Sequence, residues 1–425
     1  MAGAAFEVGL DFARQMDAGD ELAGFRGSFV FDEPDLIYVD GNSLGRLTHE
    51  TAARVRALVE SEWGRGLIRG WNAGWFESPH RVGDKIGQLI GVGPGQVLVC
   101  DSTSINLFKL VMAALTMRPE RTRIVSDVLN FPSDLYIIQG CMQLLGERHT
   151  LHLVPSEDGI TIDRQALFDA IDPQTALVTL SHVAFKSGFL HDMQAVTARA
   201  HAVGAMVLWD VSHAVGVIPM ALDEWGVDMA VGCTYKYLNG GPGAPAFLYV
   251  RRDGQEGVTS PLWGWFGQRA PFDFDLAYTP SEGIGRFLVG TPPILSLLAM
   301  EAALAPLLAA GLPRLRAKSI RLTDYMIYLA DTMLAPLGFT LGSPRDSARR
   351  GAHVSLRHSD GYRVNRALIE EMHVIGDFRA PDNLRLGFAP LYTSFVDVWE
   401  TADRLRRVVE EGRHLRYPQD RPAVT

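Results

Sequence analysis

Between roughly residues 95 and 250 the chain carries a succession of short apolar runs, QVLVCD, RIVSD, TLHLVP, ALVTLS, AMVLWD, DMAVGC and PAFLYV, with helical patterns such as SINLFKLVMAALTM and DMQAVTARAHAVG between them. The runs do not alternate strictly between polar and apolar residues. That pattern describes strands covered on both faces, with amphipathic helices supplying the cover, and so a mostly parallel α/β sheet. From about residue 300 the character changes to long amphipathic helices, PRLRAKSIRLTDYMIYLADTML and FVDVWETADRLRRVVEEG, around strands such as HVSLRH and LRLGFA. A chain of 425 residues, 47% of them hydrophobic, exceeds the size at which single cores stop growing, about 250–300 residues. The expected division is a large α/β domain over residues 45–300 and a smaller α+β domain over 301–425, completed by residues 1–44.

Charge and cysteine usage narrow the function classes. The formal net charge of -9 is spread without a basic block, which argues against nucleic acid or an anionic membrane as partner. No run of about 18 apolar residues occurs, and the N-terminal stretch lacks a signal-peptide pattern. Cys100, Cys141 and Cys233 are odd in number and form no CxxC pair, so neither a disulfide framework nor a zinc site is suggested, and a reducing cytoplasm is expected. His149 with His152, and His191 with His201, are not at metal-ligand spacing, and no metal is expected. GVGPG at 91–95 follows a helical stretch and reads as a turn; no GxSxG elbow is present.

Several of the apolar runs end in small or polar residues: Asp101, Ser126, Ser181, Asp210 and Cys233. Ligands of open α/β sheets bind beyond the carboxyl ends of strands, which marks that rim as the site. In TYKYLNGGPG, residues 234–243, Lys236 stands between two aromatics just after such a strand, where a hydrated ammonium is costly unless paired, neutralised or covalently occupied. Asp210, in WDVSHAVG, ends the preceding strand. An acid and a lysine on neighbouring strand ends, beside a phosphate cradle, suit pyridoxal phosphate: the lysine forms a Schiff base and the carboxylate pairs with the pyridinium nitrogen. The cradle is DSTSINLFKL, where hydroxyls and free N–H groups open an apolar helix. NFPSD, residues 130–134, places Phe131 before a proline-stiffened turn, where its ring could stack on a flat cofactor. Taken singly, each has a plainer reading: a snorkelling Lys236, a strand-end turn at Asp210, a simple N-cap at Ser102 and core packing for Phe131.

The ordered set DGNSLG (40–45), EWGRGLIRGWN (62–72), TSINL (103–107), NFPSD (130–134), WDVSHAVG (209–216), CTYKYLNGGPG (233–243), GWFG (264–267), GTPPI (290–294) and LRLGFAPLYTSF (384–395) closely resembles kynureninase, its bacterial branch in particular, from about residue 38 onward. The resemblance implies a fold-type-I pyridoxal phosphate enzyme of the transferase-like type, with a mostly parallel seven-stranded sheet in its large domain. It implies a homodimer hydrolysing L-kynurenine to anthranilate and L-alanine. On that resemblance Lys236 carries the cofactor, Asp210 pairs with its ring nitrogen and His213 lies beside it. Thr103, Ser104 and Tyr235 serve its phosphate region, Phe131 stacks on the ring within the Pro132, Ser133 and Asp134 segment, and Ser181 and Asp134 contact it. Tyr235 is also the candidate proton relay. Trp265 and Thr291 are expected to reach the neighbouring subunit's cofactor. Arg385 matches the residue that clamps the substrate carboxylate, a task suited to a guanidinium fork. Asn42, Ser43 and Phe266 match residues lining the substrate end.

One departure bears on specificity. Relatives that favour 3-hydroxykynurenine carry Asn where this chain has Thr291, and a histidine-containing segment where it reads GLIRGWNAGW. Fewer polar partners for a ring hydroxyl imply preference for unsubstituted kynurenine. Two alternatives stay open from sequence: a cysteine desulfurase or aminotransferase of the same fold, and a silent kynurenine-binding homologue. Desulfurases usually place His directly before the lysine, where this chain has Tyr235. A silent homologue would have lost Lys236 or Asp210.

Overall fold

The structure is a computed structural model describing residues 6–418. Residues 1–5 and 419–425, the outer ends of the expected small domain, lie outside the described range. Its centre is a seven-stranded sheet of β1 (Val97–Val99), β2 (Arg123–Asp127), β3 (Thr150–Val154), β4 (Thr175–Ser181), β5 (Met206–Asp210), β6 (Met229–Gly232) and β7 (Phe247–Val250). The order across the sheet is β1-β7-β6-β5-β4-β2-β3. Every pairing is parallel except those of β7 with β6 and with β1. The reversal has a local cause: no helix separates β6 from β7, and a parallel return needs a crossover long enough to pass over the sheet.

β4, β5 and β6 are buried along their whole length, as their unbroken apolar runs require. One core lies on each face of the sheet, one around Trp209 and Val178, the other around Leu110 and Leu208. β3 departs from the expectation of cover on both faces. Thr150, His152 and Leu153 are exposed, because β3 is the sheet edge and pairs only with β2.

A second sheet, antiparallel, comprises β8 (Thr340–Leu341), β9 (His353–Arg357), β10 (Asp377–Arg379) and β11 (Asn383–Gly387) in the order β10-β11-β9-β8. A separate core joins its inner face to the helices Leu312–Leu329, Gly361–Met372, Phe395–Glu410 and Leu10–Ala18. The first of these was expected to run unbroken to Leu334; its last turn, Ala330–Leu334, is instead a wider π-type turn. The N-terminal helix is fastened by charge as well as packing: Asp17 accepts the free N–H groups of Phe395 (2.7 Å) and Val396 (3.0 Å), while Ser394 and Asp397 form a capping box at the same end. No single helix among the described residues is long and apolar enough to cross a membrane.

Candidate active site

The turn carrying Lys236 is built from its own sequence. Gly240 N–H donates to Thr234 O (2.9 Å), Asn239 N–H to Lys236 O (2.8 Å), and Thr234 Oγ1 to Pro245 O (2.7 Å). Asn239 takes a left-handed conformation, φ 57°, which Asn tolerates better than most residues. The N-terminal loop seals the turn from outside, with Gly45 N–H donating to Tyr235 O (2.8 Å); a Cβ on Gly45 would lie 2.3 Å from Lys236 O.

This turn leaves Lys236 half-buried, with its amine 3.2 Å from His213 Nε2 and 3.4 Å from Nδ1. Burial, and then the positive charge of Lys236, holds the His213 imidazole well below its ordinary pKa, so it stays neutral. The Tyr235 ring centroid lies 5.9 Å from the same amine. The neighbouring Cys233 sulfur, together with burial, pushes the Tyr235 phenol above its ordinary range and keeps it a proton donor at neutral pH.

Parallel register sets Ser181 beside Asp210 at the carboxyl rim. Asp210 accepts from Ser212 N–H (2.8 Å) and shares a hydrogen bond with Asp134. Burial, reinforced by the Asp210 charge, raises Asp134 well above the carboxylate range, so Asp134 holds the proton and donates it to Asp210. Ser181 Oγ donates to Asn130 Oδ1 (2.6 Å), which also accepts from Phe131 N–H (2.8 Å), while Asn130 Nδ2 donates to Ser126 Oγ (3.0 Å).

Two helix N-termini converge above these groups. The helix Thr103–Met117 begins at Thr103 after the Ser102 cap, and Pro132–Leu144 begins at Pro132 after Phe131. Ser104 Oγ and Ser133 Oγ, one from each first turn, are 3.3 Å apart. Convergent dipoles and hydroxyls make a site for a multiply charged anion. Phe131, partly exposed, stands beside it with its ring edge-on to Phe185 at 5.2 Å.

Arg385 lies on β11 and is buried. Its Nε donates to Asp377 Oδ1 (2.7 Å), Nη1 to Phe185 O (2.5 Å) and Nη2 to Ser43 Oγ (3.1 Å) and to Asp377 Oδ2. One N–H of Nη1 is left for a ligand. Arg379 also pairs with Asp377, at 2.9 Å. Asn42 packs against Gly387 of the same strand, fully buried, and neither polar atom of its amide has a protein partner.

Of the residues singled out in the sequence, the structure gathers Lys236, Tyr235 and His213 in one group and Asp210, Asp134 and Ser181 in a second beside it. Thr103, Ser104, Phe131, Pro132 and Ser133 sit at the two helix starts, and Ser43 joins Arg385. Trp265, Phe266 and Thr291 lie apart. Phe266 is buried against Trp71, Phe76 and Trp265, and Thr291 is exposed on the segment that follows. Sequence reasoning missed Asn130, Asp377 and Phe185. Asp377 had a signal: the turn-forming APDN of GDFRAPDNLRLGF makes a hairpin whose register sets Asp377 opposite Arg385.

A seven-stranded sheet of this order with a lysine, a carboxylate pair and an anion cradle at its carboxyl rim is the framework of a fold-type-I pyridoxal phosphate enzyme. Solved structures agree on the fold. An apo cysteine desulfurase from Thermococcus onnurineus is 18% identical with a TM-score of 0.76, covering 96% of this chain and 100% of its own. The lyase C-DES, solved as a lysine-to-alanine mutant with glycine covalently linked to its PLP cofactor, is 18% identical with a TM-score of 0.77, over 88% of this chain and 97% of its own. The family model for the kynureninase C-terminal domain matches residues 315–405. A kynureninase from Pseudomonas fluorescens is 46% identical over 93% of this chain and 94% of its own, and one from Burkholderia pseudomallei 44% over 94% and 95%. The chain belongs to the kynureninase family.

Proposed function

We propose that the protein is a hydrolase acting on a carbon–carbon bond, cleaving L-kynurenine to anthranilate and L-alanine with pyridoxal 5′-phosphate held at Lys236, in a homodimer of the reducing cytoplasm. The observation that carries the reading is the Lys236 amine, half-buried against a neutral imidazole, beside a carboxylate pair that shares one proton. The donor set fits the cofactor. Lys236 is a free amine for its aldehyde, Asp210 an acceptor for its ring N–H, and the paired helix starts with Thr103, Ser104 and Ser133 a cradle for its phosphate, with Tyr235 alongside. When bound, the cofactor supplies an electron sink that stabilises negative charge developing at the substrate's α- and β-carbons.

The chain's own residues do the rest. Protonated Asp134 fixes Asp210 in the orientation that holds the ring nitrogen's proton. Phe131, with Pro132 after it, would hold the cofactor ring, and Ser181, oriented by Asn130, would contact it. The Lys236 amine would take the proton from the substrate Cα and return it at the end; His213, neutral beside it, accepts no proton in competition. Arg385, with Ser43 and the unpartnered amide of Asn42, holds the substrate carboxylate. Water adds to the γ-carbonyl carbon, and the Cβ–Cγ bond breaks to release anthranilate. Tyr235 then relays a proton to Cβ. Arg385 belongs to the small domain, residues 301–425 completed by 1–44, while the other groups come chiefly from the large domain, residues 45–300, so the substrate bridges the two. Trp265 and Thr291 reach the site of the second subunit, while Phe266, buried behind Trp265, backs them.

The test is product analysis on B6-saturated protein. Anthranilate and alanine should appear in equal amounts, with a higher kcat/KM on kynurenine than on 3-hydroxykynurenine, and Tyr235→Phe should keep the cofactor while turning over ~100-fold more slowly. Transamination products in place of anthranilate would reject the reaction, the reverse substrate ratio the specificity, and an unchanged kcat the relay.

A further inference from the structure

Lys109 is wholly buried, a costly place for an ammonium group unless its charge and its N–H bonds are all met. It lies on the helix Thr103–Met117, within the DSTSINLFKL stretch that opens the phosphate cradle. Helical side chains slant back toward the N-terminus, so its amine reaches toward the cradle end. Nζ pairs with the Asp101 carboxylate, donates to Phe287 O (2.7 Å) and has the Cys100 sulfur 3.9 Å away. Burial pushes the Cys100 thiol up to about 12, so it stays protonated and offers no charge for Lys109 to balance. Among the described residues the ammonium makes one ion pair, that with Asp101.

Asp101 is the last residue before the Ser102 cap. β1 runs in the same direction as β6, both antiparallel to β7, so the chain leaves β1 at the carboxyl rim. There Asp101 takes a left-handed conformation, φ 49°, pinned by Ala246 N–H donating to its carbonyl (2.8 Å) and by Cys100 N–H donating to Ala246 O (2.9 Å). Two carboxyl groups therefore border the paired helix starts: Asp134 in the first turn of one, Asp101 at the lip of the other. Either charge would oppose a phosphate dianion. Asp134 holds a proton, and Asp101 is paired with Lys109. Full burial and the bond to Phe287 O keep the ammonium from serving as a ligand itself, so it acts on the cradle through Asp101.

We propose that Lys109 is a positioning residue for the cofactor's phosphate: it cancels the Asp101 charge at the lip of the cradle, so that the helix dipoles and hydroxyls meet the dianion unopposed. This role rests on the cofactor proposed at Lys236, and adds to that site a buried cation that never touches the ligand.

Equilibrium dialysis of the full-length protein against pyridoxal 5′-phosphate, and separately against pyridoxal, which lacks the phosphate, tests it. Lys109→Met, which keeps an unbranched side chain and removes its charge, should weaken binding of the phosphate form about tenfold and leave pyridoxal binding unchanged. A general packing defect would weaken both. Removing the second charge in Lys109→Met/Asp101→Asn should restore the parent's affinity for the phosphate form, since Asn also tolerates the left-handed turn. Asp101→Asn alone leaves the ammonium in place and should bind the phosphate form more tightly than the parent, so a folding defect in Lys109→Met cannot decide the matter. Unchanged affinity for the phosphate form in Lys109→Met, equal loss of both ligands, no recovery in the double variant, or no tighter binding by Asp101→Asn overturns the proposal. A parent protein that binds neither ligand would reject pyridoxal phosphate at Lys236 itself, and this role with it.

Discussion

Asp40 begins the DGNSLG loop and has one carboxylate oxygen buried with no protein partner. Burial, then the negative charge of Asp377, pushes its carboxyl up to about 7 from an ordinary 3.8. Between those two values the folded protein holds a proton that the unfolded chain has released, so stability falls as pH rises through that window and stays low above it. Asp40→Asn removes the penalty. Its melting temperature should match the parent's near pH 4 and exceed it by a margin that grows up to pH 7 and then levels, with a ceiling of ~4 kcal/mol. A constant difference across that range, measured by thermal unfolding, would show that Asp40 ionises normally. At this scale strand-end chemistry pointed to Lys236 and Asp210, while Asp134 and Arg385 entered only through the resemblance. Asn130 and Asp377 stayed hidden. Each works by orienting another side chain, Asn130 through a loop crossing and Asp377 through a hairpin register that only the APDN turn signals.

Gly45 fixes the N-terminal loop against the lysine turn, where an added Cβ would meet Lys236 O and Asn239 Oδ1 at 2.3 Å each. One of these atoms is backbone, so relief requires the turn itself to move. Gly45→Ala should therefore destabilise by ~1–3 kcal/mol, lowering the melting temperature by several degrees, and should also weaken cofactor retention because the displaced turn carries the lysine. A variant that melts and retains cofactor like the parent would show that the two segments are not mechanically joined. The elements themselves were legible. Continuous apolar runs gave all seven strands of the large sheet, and the 3.6-residue period gave the long helices. Their order across the sheet was not, nor was the exposure of β3, since both follow from which strand falls at the edge. The irregular turns between Leu58 and Trp75 escaped as well, because four glycines interrupt any period there.

Apolar side chains gather on the surface of one segment: Trp263, Trp265, Phe272 and Phe274 are well exposed, and Leu276 fully so. Such a concentration is what the proposed homodimer would cover, and it contains Trp265 of the GWFG motif. If each site is completed by the second subunit, inactive Lys236→Ala and Trp265→Ala chains should complement each other when mixed. A hybrid dimer holds one site with both defects and one with neither, so a random equal mixture should recover about a quarter of parental activity. A mixture no more active than its better component would place Trp265 in its own subunit's site. The length of the chain implied more than one core. The bond from Lys109 to Phe287 was left unmarked, since its partners meet only after distant segments pack. The account as a whole rests on a covalent bond at Lys236, and borohydride reduction of the B6-saturated protein, followed by peptide mass analysis, tests that bond directly. The account predicts a yellow protein that bleaches on reduction and a single pyridoxyl adduct on the peptide bearing Lys236. A colourless protein, or an adduct on any other lysine, would contradict it.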